Sequence, residues 1–406
     1  MSEVAVITKD YPVYDVDLFS KEALDEPFSH YAAIRELGPV VRLRDPNPSV
    51  LALSHYQDVA KALQSPEALI SGKGTGFNDV VNQEVAEPGV LMSDGERHQQ
   101  MRAPLMKYLS SAALKPMRPQ LDEAIDAQVR DIVDGQTRNA MTGIAAYLPV
   151  SVISELVGLP EEDRQKMLRW ASAGFNCLGP LERDGVMIPE LKEELSIASE
   201  VGAYLQNFDP KTLKPGSWCA ELFQFVQEGG MSVGMARVSL RAFVLPSLDT
   251  TINSTGNLLY DLATHPDQYE MLRRDPSLIP SAVYEGMRHR TIIRWFSRLA
   301  VKDYQAGEVF IPEGERVMIL FGAANRDPAK YKNPDKFDVT RNPSDQLGWS
   351  TGPHLCSGKQ LARMEMEALL KALVKYVARI EVDQPTPLSN RGVLGFSSLP
   401  MRLFPA

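Results

Sequence analysis

The chain has 406 residues, 44% hydrophobic and 23% charged, enough apolar material for an extended core and too much for a disordered protein. A net charge of −9 excludes general nucleic-acid binding, which needs surplus Lys and Arg to displace counterions from phosphates. The three cysteines, Cys177, Cys219 and Cys356, are far apart, which excludes a disulfide framework and a C-x-x-C metal site.

Met1 to Asp17 mixes acids, a Lys and a Pro with short apolar runs and offers no signal-peptide pattern. No apolar stretch reaches the roughly 18 residues of a membrane span, so a cytoplasmic protein with no membrane association is expected. Glu26-Pro27 opens a helix carrying Tyr31, Ile34 and Leu37, which Gly38-Pro39 ends before Val40-Val41. Val50 to Ser54 alternates like a strand and His55 to Leu63 returns to helical spacing, so a small sheet is expected near the N-terminus. From Asp94 to about Thr264 helical spacing dominates, broken at Gly179-Pro180, Asp209-Pro210 and Lys214-Pro215. Its longest helix, Val233 to Leu262, contains Pro246. A mixed region follows Arg290, with strands at Val309-Phe310-Ile311 and Arg316 to Leu320. The last helix runs from about Gly358 to Ile380, with Leu361, Met366, Leu369, Leu370, Leu373 and Val377 on one stripe. The fold class is mainly α with small β-sheets, and with no repeat or linker one domain is expected over residues 1–406.

The segment Gly348-Trp349-Ser350-Thr351-Gly352-Pro353-His354-Leu355-Cys356-Ser357-Gly358 carries the chemistry. A thiolate at the start of the final helix is favoured by the helix dipole and free N–H groups, while Gly352 and Gly358 let the backbone bend and approach a flat macrocycle. Taken alone, Cys356 reads as an ordinary buried thiol. The whole constellation resembles the cytochrome P-450 cysteine loop. That loop has an aromatic seven positions before the cysteine, Gly four before, Arg or His two before and Gly two after, here Trp349, Gly352, His354 and Gly358. The aromatic is usually Phe, and a Gly often stands where Ser350 is. The resemblance spans nearly the whole chain, from Glu26-Pro27 to Leu399-Pro400. It implies the P-450 fold, with haem b between the long central helix and the final helix and Cys356 as its axial ligand, whose electron donation favours O–O cleavage.

Supporting motifs lie where the resemblance places them. Glu285-Gly286-Met287-Arg288 is an E-x-x-R pattern, by itself an ordinary surface pair, and with Arg341 it resembles the family's buried Glu-Arg-Arg cluster. His98 and Arg102, four apart on a helix, join Arg298 and His354 at the family's haem-propionate positions. Leu248-Asp249-Thr250-Thr251 matches the family's acid–alcohol pair, Asp249 and Thr250, suited to delivering protons without admitting bulk water. Pro246-Ser247 departs from the family; a proline there removes the donor to the Ala242 carbonyl and is expected to widen or kink the groove where oxygen would bind, altering proton delivery.

Phe175 to Pro180, Ser71 to Gly76 and Ala323 to Pro328 resemble members that oxidise para-substituted benzoates. The match assigns Leu91, Phe175, Leu178, Arg241, Ala242, Pro246, Ile293, Arg294 and Phe296 to the substrate pocket, with Ala242 and Pro88 where such members carry serines, and Arg294 where a neutral residue is usual. The resemblance implies a monooxygenase using O2 to O-demethylate or hydroxylate a small aromatic. The alternatives are another small hydrophobic substrate such as a terpene, or a haem-thiolate binding protein without turnover. Electrons are expected from a ferredoxin and its NAD(P)H-dependent reductase, with Lys107, Lys359 and Arg363 as a docking face. A monomer is expected.

Overall fold

The computed structural model describes residues 10–44, 49–78, 89–183 and 185–406. Its first long helix, Phe28–Leu37, stops at Gly38, whose φ of 142° is open to glycine and little else. Val40–Leu43 and Val50–Leu53 then pair antiparallel, Val40 opposite Leu53. The expected local sheet is in fact a long-range one. Val50–Leu53 also pairs in parallel with Arg316–Leu320, and the six strands run in the order Val13–Tyr14, Val40–Leu43, Val50–Leu53, Arg316–Leu320, Trp295–Ala300, Leu69–Ile70. The strand Val50–Leu53 is buried on both faces because it divides two apolar clusters. Leu51 and Leu53 join Val317 and Ile319, whereas Val50 and Ala52 join Met318 and Leu320, the two-residue period of a strand.

The central helix spans Val233–Thr264 and runs unbroken through Pro246. Ser232 caps it by accepting from the Met235 N–H at 3.1 Å. Around the proline two hydroxyls turn back onto the carbonyls four residues earlier, Thr250 Oγ1 to Pro246 O at 2.6 Å and Ser247 Oγ to Phe243 O. Such back-bonding loosens the regular ladder without breaking the helix. Leu240, Phe243, Leu248, Ile252, Leu258 and Leu262 place this helix in the largest apolar cluster, shared with Leu361, Leu369, Leu370 and Leu373 of the final helix.

That final helix is Lys359–Tyr376, shorter than its apolar stripe suggested. Val377–Val382 is a strand against Pro400–Pro405, with Ile380 opposite Leu403 and Val382 opposite Met401. Ile380 and Val382 follow the strand period beyond a register shift after Val377, and pairing with the C-terminus overrides the helical continuation. Among the described residues no helix is long and apolar enough to cross a membrane.

Candidate active site

The cysteine loop is shaped by two residues with positive φ, Ser350 at 62° and Gly352 at 68°. Glycine is required at 352, where a Cβ would stand 2.5 Å from the Leu63 carbonyl oxygen. Ser350 takes the left-handed conformation without being glycine, at a cost of roughly 1–2 kcal/mol. Gly358 is different: its φ is −81°, and a Cβ there would meet only the Cys356 sulfur, at an ordinary 3.8 Å. No crowding by the polypeptide demands glycine at 358; a flat group lying against the loop would. Trp349 is buried, with its ring edge-on to Tyr284 at 5.6 Å.

Cys356 is exposed, yet its sulfur is closely surrounded by protein. Burial pushes the thiol up, against the lowering effects of N–H donation from Gly358 and Lys359 at the start of the final helix and of the charges on Arg102 and Lys359. The sulfur thus meets the helix N-terminus as the sequence suggested. A bound metal cation is what would hold it ionised.

The propionate candidates converge. His98 is buried, its ring lies 4.4 Å from that of His354, and its Nε2 has no hydrogen-bond partner. Burial, the His354 charge and the Arg102 charge push the His98 pKa down to about 4. Arg298 is buried and donates from Nη1 to the carbonyl of its neighbour Ser297, and burial pushes its pKa down to about 10. Arg102 donates from Nη1 to Ser357 Oγ at 3.0 Å. Asp94 is the acid in this group, 3.5 Å from His354, and it already accepts from the N–H groups of Ser71 and Gly72. Buried Arg298 and half-buried Arg102 have one preoccupied carboxylate beside them, and the buried His98 Nε2 has no partner, so two carboxylates of a bound porphyrin would supply both the missing charge and the missing hydrogen-bond partner. The residues therefore fit haem b, for which Cys356 would take the iron and His98, Arg102, Arg298 and His354 the propionates.

On the central helix Asp249 is buried, accepts from Asn253 Nδ2 at 3.0 Å on Oδ1, and has no hydrogen-bond partner at Oδ2. Burial raises its pKa to about 6 against the lowering effect of Asn253. Pro246, one turn before Thr250, is exposed despite its place in the middle of this helix.

Glu285 and Arg288 are both fully buried and form a two-pronged pair at 2.7 and 2.8 Å. Arg288 also donates to the carbonyls of Asn325 and Pro334, while Arg341 Nε and the Asp338 N–H donate to Glu285 Oε1. The cluster thus stitches the helix Ile279–His289 to the segment preceding the cysteine loop. Sequence reasoning missed two companions. Asn325 accepts from the Leu347 N–H at the head of that loop, and buried Asp261 receives both His289 and Arg290. Single polar residues inside helical segments carry no spacing signal.

The substrate candidates divide. Leu91, Phe175, Ala242, Ile293 and Phe296 are half-buried and Pro246 is exposed. Half-buried Arg241 packs beside Gly89, where a Cβ would lie 3.1 Å from its Nη2. Leu178 is instead taken up by the core, clustered with Phe19 and Trp295. Arg294 is also misplaced by the sequence reading: its Nε donates to Val393 O at 3.1 Å and its Nη2 to Leu24 O at 2.6 Å, which are backbone ties. Pro88 lies outside the described residues.

Residues 222–401 match the family model of cytochrome P450. Over 401 residues the chain is 32% identical to cytochrome p450 CYP199A2 of Rhodopseudomonas palustris, covering 97% of this chain and 95% of that one. It is 28% identical over 393 residues to the beta-dihydromenaquinone-9 omega-hydroxylase of Mycobacterium tuberculosis, covering 96% of this chain and 79% of that one. The fold also superimposes on the crystal structure of CYP109E1 from Bacillus megaterium in complex with testosterone, with a TM-score of 0.83 at 23% identity over 95% of this chain and 99% of the other. Its cysteine at the head of the final helix, the charge-deficient propionate cluster and this likeness along almost its full length make the chain a member of the cytochrome P450 family, a monooxygenase built around haem b bound through cysteine thiolate.

Proposed function

We propose that this monooxygenase oxidises a small, flat aromatic, O-demethylating a methoxy group or hydroxylating an alkyl substituent of a benzoate or phenol. The observation that carries the reading is the meeting of two segments that resemble benzoate-oxidising members. Phe77, just after Ser71 to Gly76, donates its N–H to Leu178 O, and Asn78 Nδ2 donates to the carbonyls of Cys177 and Gly179, all at 2.8 Å. Half-buried Phe175, Ile293 and Phe296 would offer a flat apolar wall. Half-buried Arg241 would place a cation beside the proposed pocket, suited to a carboxylate or phenolate. Ala242 lacks the hydroxyl that helps to anchor an acid, which keeps phenolic and methoxy-arene substrates within the class.

Haem b supplies the iron at which dioxygen is activated. The protein's own part is proton handling. Thr250 donates its hydroxyl hydrogen to Pro246 O and so turns its lone pairs outward. Asp249, titrating near pH 6, is placed to give and regain a proton at Oδ2 at ordinary pH. Electrons would come from a ferredoxin and its NAD(P)H-dependent reductase. The docking residues expected from sequence are engaged within the chain. Lys107 pairs with Glu221, Lys359 lies over the Trp349 and Tyr284 rings, and Arg363 meets Glu367 and the Tyr284 hydroxyl. A docking ferredoxin would therefore compete with these contacts.

Spectral titration with 4-methoxybenzoate, guaiacol and 4-alkylphenols tests the reading. It predicts a low-to-high-spin change with at least one of them, and no change with any would sink it.

A further inference from the structure

Arg294 is 4% exposed, and among the described residues no carboxylate is in ion-pair contact with it, although the charge of Asp25 acts on it. A buried guanidinium is costly, and here it is spent on main-chain carbonyls from opposite ends of the chain, Leu24 and Val393, with Tyr31 beside it. Its own N–H donates to Gly392 O at 2.9 Å. No neutral side chain has a rigid fork of donors able to span both carbonyls.

The segment so held, residues 390–395, is tied on every side. Asn390 Oδ1 accepts from the N–H groups of Gly392 and Val393, while its Nδ2 reaches Ser172 on the helix Glu161–Cys177. The Leu394 N–H donates to Ile292 O at 2.7 Å, Val393 bridges Ile293, and Asn257 Nδ2 from the central helix donates to Leu394 O at 3.0 Å. The fit leaves no slack. A Cβ on Gly392 would lie 3.0 Å from Phe175 O, and one on Gly395 only 2.0 Å from Oδ1 of Asn253, the residue that holds Asp249. The segment thus touches two proposed pocket residues, Phe175 and Ile293, and the partner of the acid.

We propose that Arg294 is a specificity-determining positioning residue: it fixes segment 390–395 as a rigid wall of the substrate cavity, and so sets how bulky a ring fits beside Phe175 and Ile293. This rests on the cavity assignment above but not on the chemical class of the natural substrate.

The test compares holoenzyme with Arg294→Gln, using imidazole and 4-phenylimidazole as haem ligands read from the optical spectrum, and amide hydrogen exchange at Gly392, Val393 and Leu394. In the variant imidazole affinity stays at the parent value, 4-phenylimidazole affinity changes by about tenfold, the scale of a small change in pocket volume, and exchange at the three amides accelerates. If Arg294→Gln does not fold, Asn390→Ala, which loosens the same segment without exposing a buried charge, must give the same pattern. An unchanged affinity ratio in the folded variant overturns the proposal, whatever the exchange shows. A shifted ratio in an enzyme that responds to none of the aromatic substrates upholds it and removes the aromatic reading alone.

Discussion

Replacing Asp249 by asparagine should make the enzyme more stable and less active, and the gain in stability should depend on pH. The buried carboxyl titrates near pH 6, whereas an aspartate in an unfolded chain titrates near about 3.9. The folded state therefore binds this proton more tightly than the unfolded one. The full penalty for ionising the group is present above pH 6, shrinks as the pH falls between the two values, and vanishes below about 4. A gap of about two pH units corresponds to about 3 kcal/mol at pH 7.5 and about 1 kcal/mol at pH 4.5. The introduced carboxamide keeps the acceptor that Asn253 uses and carries no charge, so most of this should be recovered. Urea unfolding followed by far-UV circular dichroism, at both pH values and on haem-loaded protein, gives the difference. Turnover at pH 7.5 should fall by about a hundredfold once the proton carrier is gone. A gain of equal size at both pH values, or a loss at pH 7.5, would refute the placement of an ionisable, partner-poor carboxyl beside Thr250.

Ser350→Gly relieves a positive φ and should raise stability by about 1 kcal/mol after the extra flexibility of glycine is counted, seen as a higher urea midpoint; a lower midpoint contradicts the strain. Pro246→Ala returns an N–H donor to the Ala242 carbonyl and should stabilise by about 1–3 kcal/mol in the same assay, while unchanged stability would mean that the helix already accommodates the proline without loss. Glu285→Gln leaves the fully buried Arg288 without its counter-charge and should cost about 3–5 kcal/mol. Purified variant with a parental haem-to-protein ratio and unfolding midpoint would count against that role.

The loop from Gly348 to Gly358 was legible because its demands are local: a turn that needs positive φ, a sulfur at a helix start and a histidine two residues before it. E-x-x-R was legible as a helical pair, and its burial as part of the family resemblance. What could not be read was whatever depends on distant partners. The six-stranded sheet joins Val50–Leu53 to Arg316–Leu320, and the final helix yields at Val377 to a strand fixed by residues 400–405. Arg294 shows the same limit from the side of function. Its neighbour Ile293 is half-buried where the pocket was expected, yet the arginine turns to carbonyls contributed by residues 24 and 393, and no periodicity near residue 294 announces them. Likewise Ser350 could be identified as an oddity of sequence, but only the backbone shows that it bears the strain a glycine would avoid.

The carbonyl spectrum of the reduced protein tests the iron–sulfur bond most directly. Expressed with ample haem, the protein should show the red-shifted Soret band of thiolate-ligated haem, and Cys356→Ala should lose it. A colourless parent protein, or an alanine variant that keeps the band, would contradict the assignment of Cys356 as the ligand.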